Sequence, residues 1–156
     1  MLKKMRNHIK NQRGLTLIEL LAVVVILGII SAIAVPSIGG LIDNTKKDAR
    51  VANAQQMINA AKIHVTSQPP TTTTTLLLSD LIANGLLEEF KDPDGGNNTY
   101  DKDDSKVVIT KDGTKYTYTV ILKGSERTVS ESTSGTANAT PVAEGAFDRK
   151  NVGKNS

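Results

Sequence analysis

From Leu15 to Val35 the chain is apolar except for Thr16, Glu19 and Ser31. A helix of about 21 residues at 1.5 Å per residue is about 31 Å long, close to one bilayer hydrocarbon core. The run therefore predicts a membrane-spanning helix. Lys3, Lys4, Arg6, Lys10 and Arg13 precede it with no acidic residue among them, a bias that holds the N-terminus on the cytoplasmic side. The rest of the chain is then expected outside.

Glu19 breaks the logic of a plain anchor, because a carboxylate at a bilayer centre costs about 2.5–3.5 kcal/mol on insertion scales and calls for a partner. One local partner is a capping box, with the Thr16 hydroxyl accepting from the Glu19 N–H and the Glu19 side chain accepting from the Thr16 N–H. Another is a positive charge from outside the helix. Two simpler readings of the same stretch stay open. A secretory signal peptide has the same basic start, and Ala32-Ile33-Ala34 offers an A-x-A cleavage site, but the run is long and contains Glu19. An ordinary anchor fits length and flanks and leaves Gly14 and Glu19 without a use.

A short basic leader ending in Gly14, then Leu15-Thr16-Leu17-Ile18-Glu19-Leu20-Leu21 and an unbroken apolar helix, resembles the type IV prepilin and pseudopilin family. The resemblance is strong over about the first third of the chain and architectural beyond it. It implies that a prepilin peptidase cuts between Gly14 and Leu15 and methylates the new amino group of Leu15. Glu19 then lies fifth in the mature chain and pairs with the N-terminal ammonium of a neighbouring subunit during filament assembly. That pairing supplies the missing cation. Leu15 stands where the family most often has phenylalanine, which keeps the position apolar.

Gly28 interrupts the run and Pro36 ends it, so a kink is expected at 32–36. The resemblance implies that Gly28 to Pro36 partly unwinds in a filament; a simple bend in a membrane helix is the alternative. Beyond Gly39-Gly40, an amphipathic helix is predicted to about Val65, with Ile38, Leu41, Ile42, Thr45, Ala49, Ala52, Gln56, Ala60 and Ile63 on its core face. Asp43, Asn44, Lys46, Lys47, Asp48, Arg50 and Lys62 form the polar face, solvated or turned to other subunits. His64, alone among cysteine-free surroundings, reads as an ordinary side chain rather than a ligand.

Gln68-Pro69-Pro70 stops the helix, and five threonines follow as an extended linker. Ser79 to Leu87 predicts a short helix capped by Ser79 or Asp80 and ended at Asn84-Gly85, its leucines on the core. Asp92, Asp94, Asn97, Asn98, Asp101, Asp103 and Asp104 crowd a Gly-Gly loop. Without EF-hand spacing or a closing glutamate this reads as a solvated acidic turn rather than a calcium site. Lys106–Lys111 and Thr114–Leu122 predict a hairpin turning at Asp112-Gly113, with Tyr116 and Tyr118 on one face and Thr117 and Thr119 on the other. A third strand is placed near Arg127 to Ser130. From Glu131 onward, polar and small residues predict a flexible coil or loose surface extension anchored by Phe147.

The expected fold is α+β, a long N-terminal helix packed on a small antiparallel sheet. Its parts are a leader (1–14), a transmembrane and assembly half-helix (15–36), an amphipathic half-helix (37–66), a small head (67–130) and a tail (131–156). With 156 residues there is room for one head, and with no cysteine no disulfide staples it. The net charge of +3 comes from the leader, which holds five of the 19 basic residues and none of the 16 acidic ones. Without the leader the side-chain balance is −2, no footprint for nucleic acid.

No catalytic constellation or phosphate-binding glycine loop is present and no cofactor or metal is implied, so an enzyme is not expected. The expected role is a filament subunit, anchored in the cell membrane before assembly and at the cell surface after it. Its partners are prepilin peptidase, other copies of itself, the assembly platform of a pilus or secretion machine and, indirectly, DNA. Motility or adhesion, DNA uptake and secretion stay open. The head is similar to Gram-positive pilin-like subunits, competence pseudopilins among them, and the lack of cysteine points the same way. A second class of function is a membrane-anchored binding module presenting its head to a ligand such as DNA, through Lys102, Lys106, Lys111, Lys115 and Lys123.

Overall fold

A computed structural model of the chain describes residues 2–95, 99–130, 134–135 and 141–155, with side chains from residue 16 onward except at 134–135. Helix α1 runs from Leu2 to Ser67 with Pro36 inside it, and the chain divides into two units, 1–43 and 44–156. In the first unit every large apolar side chain from Leu17 to Val35 is 52–71% exposed. A helix apolar on all sides is stable only where lipid or other helices surround it. Mean hydropathy reaches 2.9, long and apolar enough to cross a membrane.

In the second unit, the strands are β1 (Thr74–Leu77), β2 (Lys106–Asp112), β3 (Lys115–Lys123), β4 (Arg127–Val129), β5 (Ser134–Gly135), β6 (Val142–Ala143) and β7 (Val152–Asn155), with a short helix α2 (Leu78–Ala83) after β1. Among the described residues the sheet order is β1-β2-β3-β4-β7-β5, and β6 also pairs with β3. All pairings are antiparallel except β5 with β7. The architecture is α+β, a long helix packed on a small, mostly antiparallel sheet.

The core draws Ala54, Met57, Ile58, Ala61 and Val65 from α1, Val107 and Ile109 from β2, and Tyr118, Val120 and Leu122 from β3. Period-2 alternation sends the tyrosine face of β3 inward and leaves Thr117 exposed, which settles the face that the sequence left open. The helix face differs from the expected one. Of the stripe from Ile38 to Ile63 only Ala60 is buried, whereas Ile38, Leu41, Ile42 and Ile63 are more than half exposed. The buried stripe steps through Arg50, Ala54, Met57, Ile58, Ala61 and Val65. The sequence offers apolar residues at three- and four-residue steps on both faces, and the choice between them is made by the sheet.

Arg50, expected on the polar face, is fully buried. Its guanidinium Nη2 ion-pairs with Asp92, Nε donates to Asp94 Oδ2 at 3.1 Å, and Nη1 donates to the Arg127 carbonyl at 2.5 Å. Asp92 Oδ2 also accepts from the Ser125 N–H (2.7 Å) and hydroxyl (2.9 Å). Lys46 approaches Asp94 at 3.2 Å. One arginine thus joins α1, the 92–94 loop and the β3–β4 turn. The turn passes so close that a Cβ on Gly124 would fall inside contact distance of Arg50 Nη1 and Asp92 Oδ2. Burial pushes the Asp92 pKa up, but the N–H groups of Ser125 and Asp94 and the charge of Arg50 outweigh it and hold the carboxyl below its ordinary value. Asp92 and Asp94 are therefore counter-ions of a buried cation and not a solvated acidic turn.

Tyr100 lies beside this cluster, with the Arg50 guanidinium 5.5 Å from its ring centroid and Phe90 edge-on at 5.4 Å. Its hydroxyl accepts from Asn53 Nδ2 at 3.1 Å. Burial pushes the phenol up to about 12, so it stays neutral.

Local signals shift by a residue or two. The β2–β3 loop is Gly113-Thr114, because Asp112 pairs with Lys115. Gly113 has φ +61° at the first loop position, where a type II′ turn takes glycine. Helix α2 begins earlier than expected, with Leu77 at its N-cap. Asp80 does not cap it as the first residue; its carboxylate accepts from the Leu77 N–H at 3.1 Å. The predicted end at Asn84-Gly85 is found. Leu86 N–H donates to Leu81 O and Gly85 N–H to Ile82 O, both at 3.0 Å, the two bonds of a Schellman motif around Gly85 at φ +66°. No atom lies within 4 Å of a Cβ added there, so the cost of Gly85→Ala is conformational, about 1–2 kcal/mol. Urea denaturation should show that loss and a smaller one for Gly85→Asn, since asparagine tolerates this conformation.

The predicted linker and tail both contribute strands. Thr74 and Thr75 open β1, paired with β2. Residues 141–155 contradict a flexible coil: β7 pairs with β4, Val142 and Val152 are buried, and Phe147 packs against the core. Arg149 donates twice to the Asp48 carboxylate, at 2.5 and 2.7 Å, and Lys62 pairs with Glu144. Asn155 Nδ2 donates to the carbonyls of Gly124 (2.8 Å) and Ser125 (3.2 Å). Polar residues join the sheet here through their backbone, which composition does not register. Asn97, Asn98 and most of the 131–140 stretch lie outside the described residues.

Candidate processing and assembly site

Gly14 and Leu15 lie within α1, and Glu19 follows Leu15 by four residues on the same helix. At 3.6 residues per turn, positions 15 and 19 share one face, about one turn apart. An amino group freed at Leu15 would thus sit on the same helix face as the Glu19 carboxylate.

Thr16 is interior to α1, so its N–H belongs to the helical ladder and it is not an N-cap. The local capping box does not form. Glu19 is exposed on a helix surface otherwise lined by Leu17, Ile18, Leu20 and Leu21. Among the described residues it has no hydrogen-bond or ion-pair partner. A carboxylate so placed has its partner, if any, outside this segment.

Residues 9–35 match the prokaryotic N-terminal methylation motif. The chain carries a type IV prepilin-like signal. The matched stretch includes Gly14, Leu15, Glu19 and Gly28 and ends one residue before Pro36. The motif implies processing by prepilin peptidase and pilus assembly in general, and with the apolar helix it fits a membrane-anchored precursor. No curated protein and no solved structure matches the chain.

Gly28 and Pro36 both lie in continuous helix, and there is open space where a Gly28 Cβ would stand. Pro36 removes one backbone donor and crowds the carbonyl of Ala32.

The other candidate sites fall into place in the head. In the acidic loop weighed as a calcium site and read instead as a solvated turn, Asp92 and Asp94 are taken by Arg50, Lys46 and Arg127. Asp101 accepts from the N–H groups of Asp103 (3.2 Å) and Asp104 (3.1 Å), and Lys123 pairs with Asp101 and Asp104. No group of three metal-ligating side chains occurs among the described residues. Of the lysines considered for DNA, Lys102 pairs with Glu89 at 2.6 Å, Lys123 is paired as above, and Lys111 lies over the Tyr116 ring.

Arg50 is the residue that sequence reasoning missed. One signal was available: it occupies the buried stripe at the four-residue step before Ala54, and the chain has two aspartates flanking Pro93 that need a cation if the loop folds inward.

Proposed function

We infer that the mature chain is the repeating structural subunit of a type IV pilus or pseudopilus filament. The observation that carries this reading is the methylation motif over residues 9–35, which spans Gly14, Leu15 and a Glu19 that is exposed on an apolar helix and has no partner among the described residues. The prepilin inserts with its N-terminus inside, is cut after Gly14 and is methylated at Leu15. An assembly platform then draws it from the membrane. The exposed Leu20 to Val35 surface trades lipid for the same surface of neighbouring subunits, and head-to-tail contacts repeat without closing. Glu19 sets the register by pairing with a neighbour's N-terminal ammonium. Gly28 and Pro36 mark where the helix bends or unwinds to fit the lattice. The head faces the cell surface or medium once assembled.

The N-terminus of the membrane-extracted protein, read by intact mass spectrometry, tests the first step. A chain starting at methylated Leu15 is expected. A start at Val35 would make it a secreted soluble protein, and an intact leader in cells with active peptidase would make it a plain anchor. Gly14 substitution to a bulky residue should leave the leader on.

A further inference from the structure

The chain has three bonds of the kind that rearrange through a cyclic imide, an Asn or Asp followed by Gly: Asn84-Gly85, Asp94-Gly95 and Asp112-Gly113. Glycine favours the reaction because no Cβ shields its nitrogen. The structure treats the three differently. Gly85 donates its N–H to the Ile82 carbonyl at 3.0 Å, and the Asn84 amide donates to the Asp80 carbonyl at 2.8 Å. Gly95 donates to the Asp92 carbonyl at 3.1 Å, and the buried Asp94 carboxylate is held by Lys46, Arg50 and Arg127. In both places the attacking nitrogen and the group it must reach are tied.

At Asp112-Gly113 neither is tied. The Gly113 N–H makes no hydrogen bond, and the Asp112 carboxylate has no hydrogen-bond or ion-pair partner, among the described residues. A Cβ at Gly113 would meet nothing within 4 Å, so the nitrogen is open to approach. In strand geometry the Asp112 side chain stands away from that nitrogen, and the Asp112–Lys115 pair must fray to let the Asp112 Cα–C bond rotate. That pair is the last of the β2–β3 ladder, and every residue from Thr110 to Lys115 is exposed. Its opening uncovers no buried side chain and belongs to the low-cost end of local openings. Freeing Asp94, by contrast, breaks its buried ion pair with Arg50.

We propose that Asp112 is a site of isoaspartyl formation, set apart from Asn84 and Asp94 by the fold. The reaction needs only water. The Gly113 nitrogen, giving up its proton, attacks Cγ of the protonated Asp112 carboxyl; the N–Cγ bond closes a five-membered succinimide as the Cγ–OH bond breaks and water leaves. Water then opens the ring. Attack at Cγ restores aspartate, and attack at the α-carbonyl gives isoaspartate, whose main chain runs through Cβ and Cγ and whose α-carboxylate is free. The extra main-chain atom at the strand end takes residue 112 out of register with Lys115. The free α-carboxylate is the group methylated by carboxyl methyltransferases that repair isoaspartyl residues, so the aged chain is a substrate for that class of enzyme.

The test ages the full chain in micelles for several weeks in mildly acidic buffer, since the carboxyl reacts in its protonated form, beside a sample unfolded in urea. Chymotrypsin, cutting after Phe90, Tyr100 and Tyr116, places Asp94 in Lys91–Tyr100 and Asp112 in Asp101–Tyr116, and trypsin leaves Asn84 in Ile63–Lys91. Electron-transfer fragmentation identifies isoaspartate in each peptide by fragments that aspartate does not give. In the folded chain isoaspartate at position 112 should exceed that at 84 and 94 by about tenfold or more, the ratio of their local openings. In urea all three should rearrange, Asn84 fastest. Asp112→Glu, which would need a six-membered ring, should remove the signal at 112. Isoaspartate no higher at 112 than at 84 or 94 in the folded chain overturns the proposal, as does its absence at 112 there, whatever the urea sample shows. The readout does not depend on filament formation, so failure of the filament reading leaves it standing.

Discussion

Arg50→Ala is expected to lower the stability of the head by about 3–5 kcal/mol, the cost of leaving a buried carboxylate without its counter-ion. Asp92 would keep the Ser125 hydrogen bonds and Asp94 would keep Lys46 and Arg127, which sets the upper limit. Against a usual total of about 5–15 kcal/mol, such a loss unfolds much of the population at modest temperature. All three tyrosines, Tyr100, Tyr116 and Tyr118, lie in the second unit, so their near-ultraviolet circular dichroism reports the head and not the membrane helix. Urea denaturation of the full chain in micelles, followed by that signal, measures the change. A loss below about 1 kcal/mol, the range of surface pairs, would show that Arg50 is dispensable.

The same cluster gives a pH dependence with a defined sign. The folded-state pKa of Asp92 is below its ordinary value of 3.8. Its contribution is therefore complete above the unfolded pKa and is lost as pH falls through the lower, folded one. The stability gap between wild type and Arg50→Ala should narrow on acidification and be lost as pH falls through the folded-state pKa of Asp92, which lies below 3.8. Asp92→Asn added to Arg50→Ala should cost less than the two single losses combined, since neutralising the carboxylate removes the uncompensated charge.

Glu19→Ala is expected to leave membrane insertion and the processed N-terminus unchanged while lowering the yield of sheared filaments tenfold or more. The physical reason is repetition: a pairing of only about 1.4 kcal/mol shifts one association step tenfold, and a filament takes that step at every subunit. Glu19→Gln keeps the shape and loses the charge, and should share the defect. Filament protein and the membrane pool are quantified from the same cells, with the N-terminus read by mass spectrometry. Normal yield from either variant sinks the ammonium pairing, whereas a leader still attached would place the defect at processing.

The sequence alone carried the first unit, because its features are local. A run of apolar residues and a short motif such as the one matched at residues 9–35 have the same meaning whatever the rest of the chain does. The turn and cap signals were also local: Gly113 and Gly85 were both placed within a residue or so of positions where only positive φ serves. The face of α1 that packs, the inward turn of the 92–94 loop and the recruitment of residues 141–155 into the sheet were decided by tertiary structure. Helical periodicity accepts either stripe of α1 when alanines and isoleucines are spread around it. A charged residue is read as exposed until its partners, 42 and 44 positions away for Asp92 and Asp94, are brought to it. Polar tail residues pair through backbone groups common to every residue, so their strand character comes from the edge of β4 that receives them and not from their side chains.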